Sequence, residues 1–256
     1  MEKVTEKAIE KKAFLSRKDL KEFTVPEGVE EIGDWAFAYC DELREVVFQS
    51  DDIRFGKAVF LECNKLSRLE ISGKSETVAR LLAAAVTVAD APYLLDLKEA
   101  GSAEWFSKWD ARMLTILHTP DDEGYSKQVL CGEEDYGSTD YQAYCSGRRK
   151  VKIRLLFVRL LFDEGLDDTA KKEMSEYILK HTKNEKHEEA WKVLLDEFGE
   201  ERAYYELFAE LGCVNKDNLQ DILEDIADSN PEMKAYFLRL GENFHETLDV
   251  FGDLLL

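Results

Sequence analysis

Cys40 and Cys63 stand 23 residues apart, each closing a run that opens on a small residue and phenylalanine, AFAYC and VFLEC. A thiol can serve as a nucleophile, a metal ligand or half of a disulfide, and each use needs particular company. A nucleophile needs a base beside it. The four histidines, His118, His181, His187 and His245, are scattered. His181 and His187 are six apart, not the four that would share a helix face. Zinc needs a clustered Cys/His set, and the five cysteines include no CxxC pair; Cys131 and Cys145 lack companion ligands. Glu133, Glu134, Asp135 and Asp140 offer oxygens to Ca²⁺, but not at EF-hand spacing. The chain has no G-x-S-x-G, P-loop, H-E-x-x-H or G-x-G-x-x-G. Catalysis finds no support, and neither a metal nor a cofactor is expected.

The cysteine spacing belongs to a larger pattern. A shift of 23 residues maps Ile9 to Ile32 to Phe55, and Phe14 to Phe37 to Phe60. It also maps Leu20 to Leu43 to Leu66, Phe23 to Val46 to Leu69, and Val25 to Phe48 to Ile71. Such columns mark stacked copies that bury one another's apolar faces. In each copy LREVVF-like residues alternate as a strand, VEEI forms a second short extended piece, and Gly33 is read as a tight turn. AFAYC is read as one helical turn that drives Phe37 inward. Stacked layers about 4.8 Å apart fall within disulfide range. Equivalent side chains point the same way, however, so a packed column of free thiols is expected at Cys40 and Cys63, and a bond would require one rotamer to turn.

The stretches IGDWAFAYCDELREVVF and VPEGVEEIG resemble the BspA-like class of leucine-rich repeats, roughly I-G-x-x-A-F-x-x-C-x-x-L-x-x-V-x-I-P. FGKAVFLECNKLSRLEI is close to that pattern, while the first copy has Arg17 in place of the cysteine and lacks the glycine, as suits a terminal layer. The resemblance covers about residues 9–73. It implies a ligand-displaying β-solenoid, often on cell surfaces, and no catalysis.

Formal net charge is −20, of which residues 1–74 carry only −3. An acidic body repels phosphate backbones and anionic lipid, so neither nucleic acid nor membrane insertion is expected. The N-terminus has no apolar stretch of signal-peptide length, which fits the cytoplasm. A chain that had lost a signal would fit the cell surface instead. VKIRLLFVRLLF holds Arg154 and Arg159 and reads as a buried helix.

From Ser75 the period becomes helical. Ser75 caps a helix rich in Ala and Leu, placed to close the open end of the stacked copies. A second helix should start at Asp90 and Pro92 and end near Gly101. Trp105, Phe106 and Trp109 sit at core spacing on the next. Residues 118–148 read as a long acidic, tyrosine-rich loop, followed by helices at about 149–163, 168–181, 186–198, 201–211, 216–228 and 231–244, with Gly199, Gly212 and Gly241 at helix ends. The array is faintly ankyrin-like.

The expected fold is therefore α+β: three repeats over residues 1–74, then an all-α helical-repeat domain over 75–256. The expected role is non-enzymatic binding of a protein partner, with a homo-oligomer also allowed. The display positions are Glu22 and Thr24, Glu45 and Val47, and Arg68 and Glu70 on the strands, with Tyr136 and Tyr141 on the loop. Two rival roles are a cell-surface adhesin and a metal-dependent regulator or enzyme built on residues 118–152.

Overall fold

The computed structural model describes residues 4–126, 140–182, 189–226 and 230–252. The chain forms two compact units, Met1–Met174 and Ser175–Leu256. The change from strands to helices falls elsewhere, between Ile71 and Glu76.

The first unit opens with β1 (Ala8–Ile9), β2 (Glu22–Val25), β3 (Glu31–Ile32), β4 (Glu45–Phe48), β5 (Arg54–Phe55) and β6 (Arg68–Ile71). They form two parallel sheets, ordered β1-β3-β5 and β2-β4-β6. Ile9 aligns with Ile32 and Phe55, and Val25 with Phe48 and Ile71, so the 23-residue columns are the physical register. The rings of Phe14, Phe37 and Phe60 stack along the axis, with centroids 5.1 and 5.6 Å apart and planes within 15° of parallel. Phe37, at the centre, is fully buried. Offset aromatic stacking adds to the area such rings remove from water.

The segment joining the two sheets is not the helical turn suggested by AFAYC. It is a run of tight turns with left-handed non-glycine residues at Lys12, Trp35 and Ala58, and again at Ser16, Tyr39 and Glu62. Ala36, Ala38 and Cys40 donate their amides three residues back, to Gly33, Trp35 and Phe37. The alternate amides of Trp35, Phe37 and Tyr39 donate instead to Lys57, Val59 and Leu61 in the next layer. A helix would return every amide to its own segment. Here half of them tie layer to layer, and the left-handed residues aim them there. Each such residue costs about 1–2 kcal/mol in conformational energy, offset by a ladder that runs through turns as well as strands.

The glycine in each repeat also has a different reason from the one expected. Gly33 is not left-handed. A Cβ on it would lie 2.6 Å from the amide nitrogen of Lys11, and one on Gly56 would lie 2.5 Å from that of Asp34. Close layer-to-layer approach therefore excludes a side chain there. In the first layer Glu10 stands in this column and is exposed.

Three described helices follow, α1 (Glu76–Thr87), α2 (Ala103–His118) and α3 (Tyr141–Leu161), and then α4 (Asp168–Lys180), within which the first unit gives way to the second. The Ser75 hydroxyl caps α1 by accepting from the Val78 amide. α1 packs along β6 and buries Val78, Leu81 and Leu82, closing that end of the stack. The helix expected to start at Asp90 is only a 3₁₀ turn, Pro92–Leu94, preceded by a left-handed Asp90. Trp105 and Trp109 donate from Nε1 to the carbonyls of Leu94 and Leu81 and are buried, as their core spacing implies. The Arg159 guanidinium is fully buried; it donates to Asp110 at 2.6 and 3.1 Å and to the carbonyls of Phe162 and Glu164. This clamp fastens α3 to α2, with the charge and its donors matched inside the protein.

α3 also corrects the long-loop reading, because residues 141–148 are its first turns. Asp140 caps it by accepting from the Gln142 amide. Lys152, almost wholly buried, donates to Asp121 and to the Thr119 carbonyl, and Arg149 also pairs with Asp121. Lys152 and Arg149 are thus matched to Asp121, in the segment that precedes α3.

The second unit contains α5 (Glu189–Phe198), α6 (Arg202–Glu210), α7 (Leu219–Ile226) and α8 (Pro231–Gly252). Trp191 sits among Tyr205, Phe208 and Phe237, and its Nε1 donates to Asp225. Of the three glycines read as helix ends, only Gly212 is left-handed. Gly241 lies inside α8, where a Cβ would press on Leu219 of α7.

Two backbone substitutions should act in opposite directions. Gly33→Ala should destabilise the first unit by about 1–3 kcal/mol, because the added carbon meets backbone rather than a movable side chain. Ala58→Gly should stabilise it by roughly 0.5–1 kcal/mol, since φ is +50° and the methyl is exposed. Urea unfolding of the full chain measures both.

Candidate functional site

The parallel register brings the six strand positions together. Glu22, Glu45 and Arg68 form one row across the sheet, and Thr24, Val47 and Glu70 the next. Between them Val46, Phe48, Leu69 and Ile71 point into the core and are buried. In β2 the two outward residues are exposed, whereas in β4 and β6 they are half-buried. The cause is a network at the α1 end. Arg68 pairs with Glu45 at 2.8 Å, with Glu70 at 2.9 Å and with Glu76 at 2.8 Å. Glu76, in the first turn of α1, also accepts from Arg80. Arg68 is therefore committed to carboxylates of its own chain, and the free part of the surface shifts toward Glu22, Thr24 and Val47. Glu76 and Arg80 were not among the expected site residues. Their only signal in the sequence is the acidic start of a capped helix; their contact with Arg68 depends on where that helix lies.

Tyr141 belongs to a separate cluster at the start of α3. Its ring lies 5.0 Å from that of Tyr125, which is also 5.4 Å from Tyr144. The Tyr144 hydroxyl donates to the Glu123 carbonyl, and that of Tyr141 to Asp122. Tyr136, Cys131, Glu133, Glu134 and Asp135 lie outside the described residues. Asp140 is a helix cap, and among the described residues no group of three or more His, Cys, Asp or Glu is placed to hold a metal ion.

On the turn side, Leu15, Tyr39 and Leu61 are exposed in successive layers. Trp35 beside them is half-buried under the ammonium groups of Lys11 and Lys12, 4.9 and 5.5 Å from its ring. Asp34 links all three layers: it accepts from the Lys57 amide and faces Lys11. The Lys57 amide above all holds its carboxyl below the ordinary carboxylate range.

Cys40 and Cys63 are free and buried. Each thiol donates to a carbonyl of the layer beneath, Phe14 and Phe37, at 3.1 Å. Burial pushes both thiols up, Cys63 to about 12 from an ordinary 9.0, so the reactive thiolate is disfavoured. The folded state thus keeps a proton that the unfolded chain releases above pH 9. Stability should be unaffected below that pH and fall as pH rises from 9 toward 12. Cys63→Ala should flatten this slope in denaturation curves, and Cys63 should resist iodoacetamide in the native chain.

No helix among the described residues is long and apolar enough to cross a membrane. No curated protein and no solved structure matches the chain. Residues 3–82 match the family described as BspA type Leucine rich repeat region (6 copies). The layered register, the phenylalanine stack and the buried cysteine column all fall within that span, and residues 3–82 of this chain are a BspA-type leucine-rich repeat region.

Proposed function

We propose that the chain is a non-enzymatic protein-binding module and that residues 1–74 supply its recognition layer. One observation carries this reading: the β2-β4-β6 sheet spends its inward residues on the core and holds its outward residues in two straight rows. A backbone ladder fixes those rows, so little side-chain or loop ordering remains to oppose binding. Leucine-rich repeats generally mediate protein–protein interaction, which supports the same role. The face joins a small uncharged centre, Thr24 and Val47, to the carboxylate of Glu22, which does not pair with Arg68, while Glu45 and Glu70 already face Arg68, and so favours a partner with a basic side chain beside a small apolar contact. Three layers make a modest surface, and Tyr141, partly exposed at the start of α3, is a second candidate contact. Repeats of this class are often found on cell surfaces, where the same face would serve adhesion.

A photo-crosslinking amino acid placed at Val47 or Glu70 tests the reading in the source cell, with exposed Tyr93 as control. The expected result is one discrete adduct common to positions 47 and 70 and absent at 93. No adduct at either position, or the same adducts at all three, would remove the basis for this face.

A further inference from the structure

In the turns that join the two sheets, the hydrogen bonds between layers all run one way. Lys12, Phe14 and Ser16 donate to Asp34, Ala36 and Ala38 of the second layer, and Trp35, Phe37 and Tyr39 donate to Lys57, Val59 and Leu61 of the third. The recurring left-handed residues aim each of these amides toward the third layer and each accepting carbonyl back toward the first. In the third layer the equivalent donors are Ala58, Phe60 and Glu62, and among the described residues their amides have no acceptor. The carbonyls of Ala58 and Phe60 already accept from Leu61 and Cys63, so this stretch offers donors rather than acceptors. It is the positive end of a set of aligned peptide dipoles. α1 packs along β6, and on the turn side Ala58, Leu61 and Glu62 are exposed.

The side chains beside that row are cationic and apolar. Lys57, next to Ala58, and Lys12, beside Trp35, are exposed and form no ion pair among the described residues. The nearby carboxylates are engaged: Asp34 with the Lys57 amide and Lys11, and Glu62 with the side-chain amide of Asn64. Glu10 lies in the first layer, away from the donor row. In a chain of formal charge −20 this is a local surplus of unmatched cation. Leu61 and Tyr39, exposed in successive layers, supply an apolar strip alongside it.

We propose that the turn side of the third layer binds an acidic peptide segment of a partner protein. Its carboxylates accept from the donor row and face Lys57, while an aliphatic side chain covers Leu61 and Tyr39. Backbone and side chains call for the same occupant independently. Donors without acceptors, beside unmatched ammonium groups, select an anion. The exposed Leu61 and Tyr39 select an apolar group on the same ligand. An isolated oxyanion would leave that strip uncovered, and a basic segment would face Lys57 with like charge. This surface is distinct from the sheet face, where Glu22 favours a basic side chain, so either can hold without the other.

The probe is a short peptide alternating Glu and Leu, titrated to about 2 mM into the ¹⁵N-labelled full chain and followed by amide NMR. The net charge of the chain repels this peptide, so binding requires a local site. The amide signals of Ala58, Phe60 and Glu62 should shift saturably, and those of Thr24 and Val47 on the sheet should not. The same peptide with Gln for Glu should bind about fivefold more weakly. Lys57→Glu should weaken the Glu–Leu peptide by about fivefold and Leu61→Ser by about threefold. Both side chains are exposed, so far-UV circular dichroism of the variants should match the unsubstituted chain. No saturable shift at the three amides, equal binding of the Gln peptide, or unchanged binding in both variants overturns the inference.

Discussion

Everything in the first half of the chain depends on how closely one layer sits on the next. The stacked rings of Phe14, Phe37 and Phe60 set the spacing, and backbone amides in both strands and turns tie each layer to its neighbour. At that spacing a side chain on Gly33 or Gly56 has nowhere to go, and the thiols of Cys40 and Cys63 reach the carbonyls beneath them. Six left-handed non-glycine residues are tolerated for the same reason: the layers above and below over-determine their conformation. The outward rows of the sheet inherit this rigidity.

A helix closes the β6 end of the stack. α1 covers β6, and its Glu76 draws Arg68 into a network of three carboxylates, withdrawing that guanidinium from the display surface. The first layer departs from the repeat in two of its columns. Glu10 replaces the glycine, and Arg17, paired with Asp19, replaces the buried cysteine. Beyond α1, helices α2 and α3 are fastened by a fully buried Arg159–Asp110 pair that has every appearance of scaffold chemistry: the guanidinium is matched by protein acceptors.

Much of the repeat was legible beforehand because apolar columns at a fixed interval have one economical explanation, stacked copies. The strand positions of Glu22, Glu45 and Arg68 followed from period-two alternation. The turns were not legible. AFAYC has the residue types of a helical turn, and nothing local reveals that Phe37 donates its amide to Val59 instead of back into its own segment. The first residues of α3 were hidden by a composition rich in Tyr, Gly and Ser, although Asp140 caps them. Gly241 looked like a helix end and is an interior residue, because its role is to admit Leu219 from another helix.

The sequence by itself determined the repeat interval, the identity of the core columns, the switch to helices after residue 74 and the lack of recognisable catalytic motifs. These are properties of periodicity and local composition, which act over a few neighbouring residues. Only the tertiary structure decided that Cys40 and Cys63 donate to carbonyls of the layer beneath, that Arg68 is matched by carboxylates and that the repeat glycines serve close approach. Each of these depends on a residue 8 or more positions away being brought within a few ångströms. No local pattern records such distances, because packing sets them.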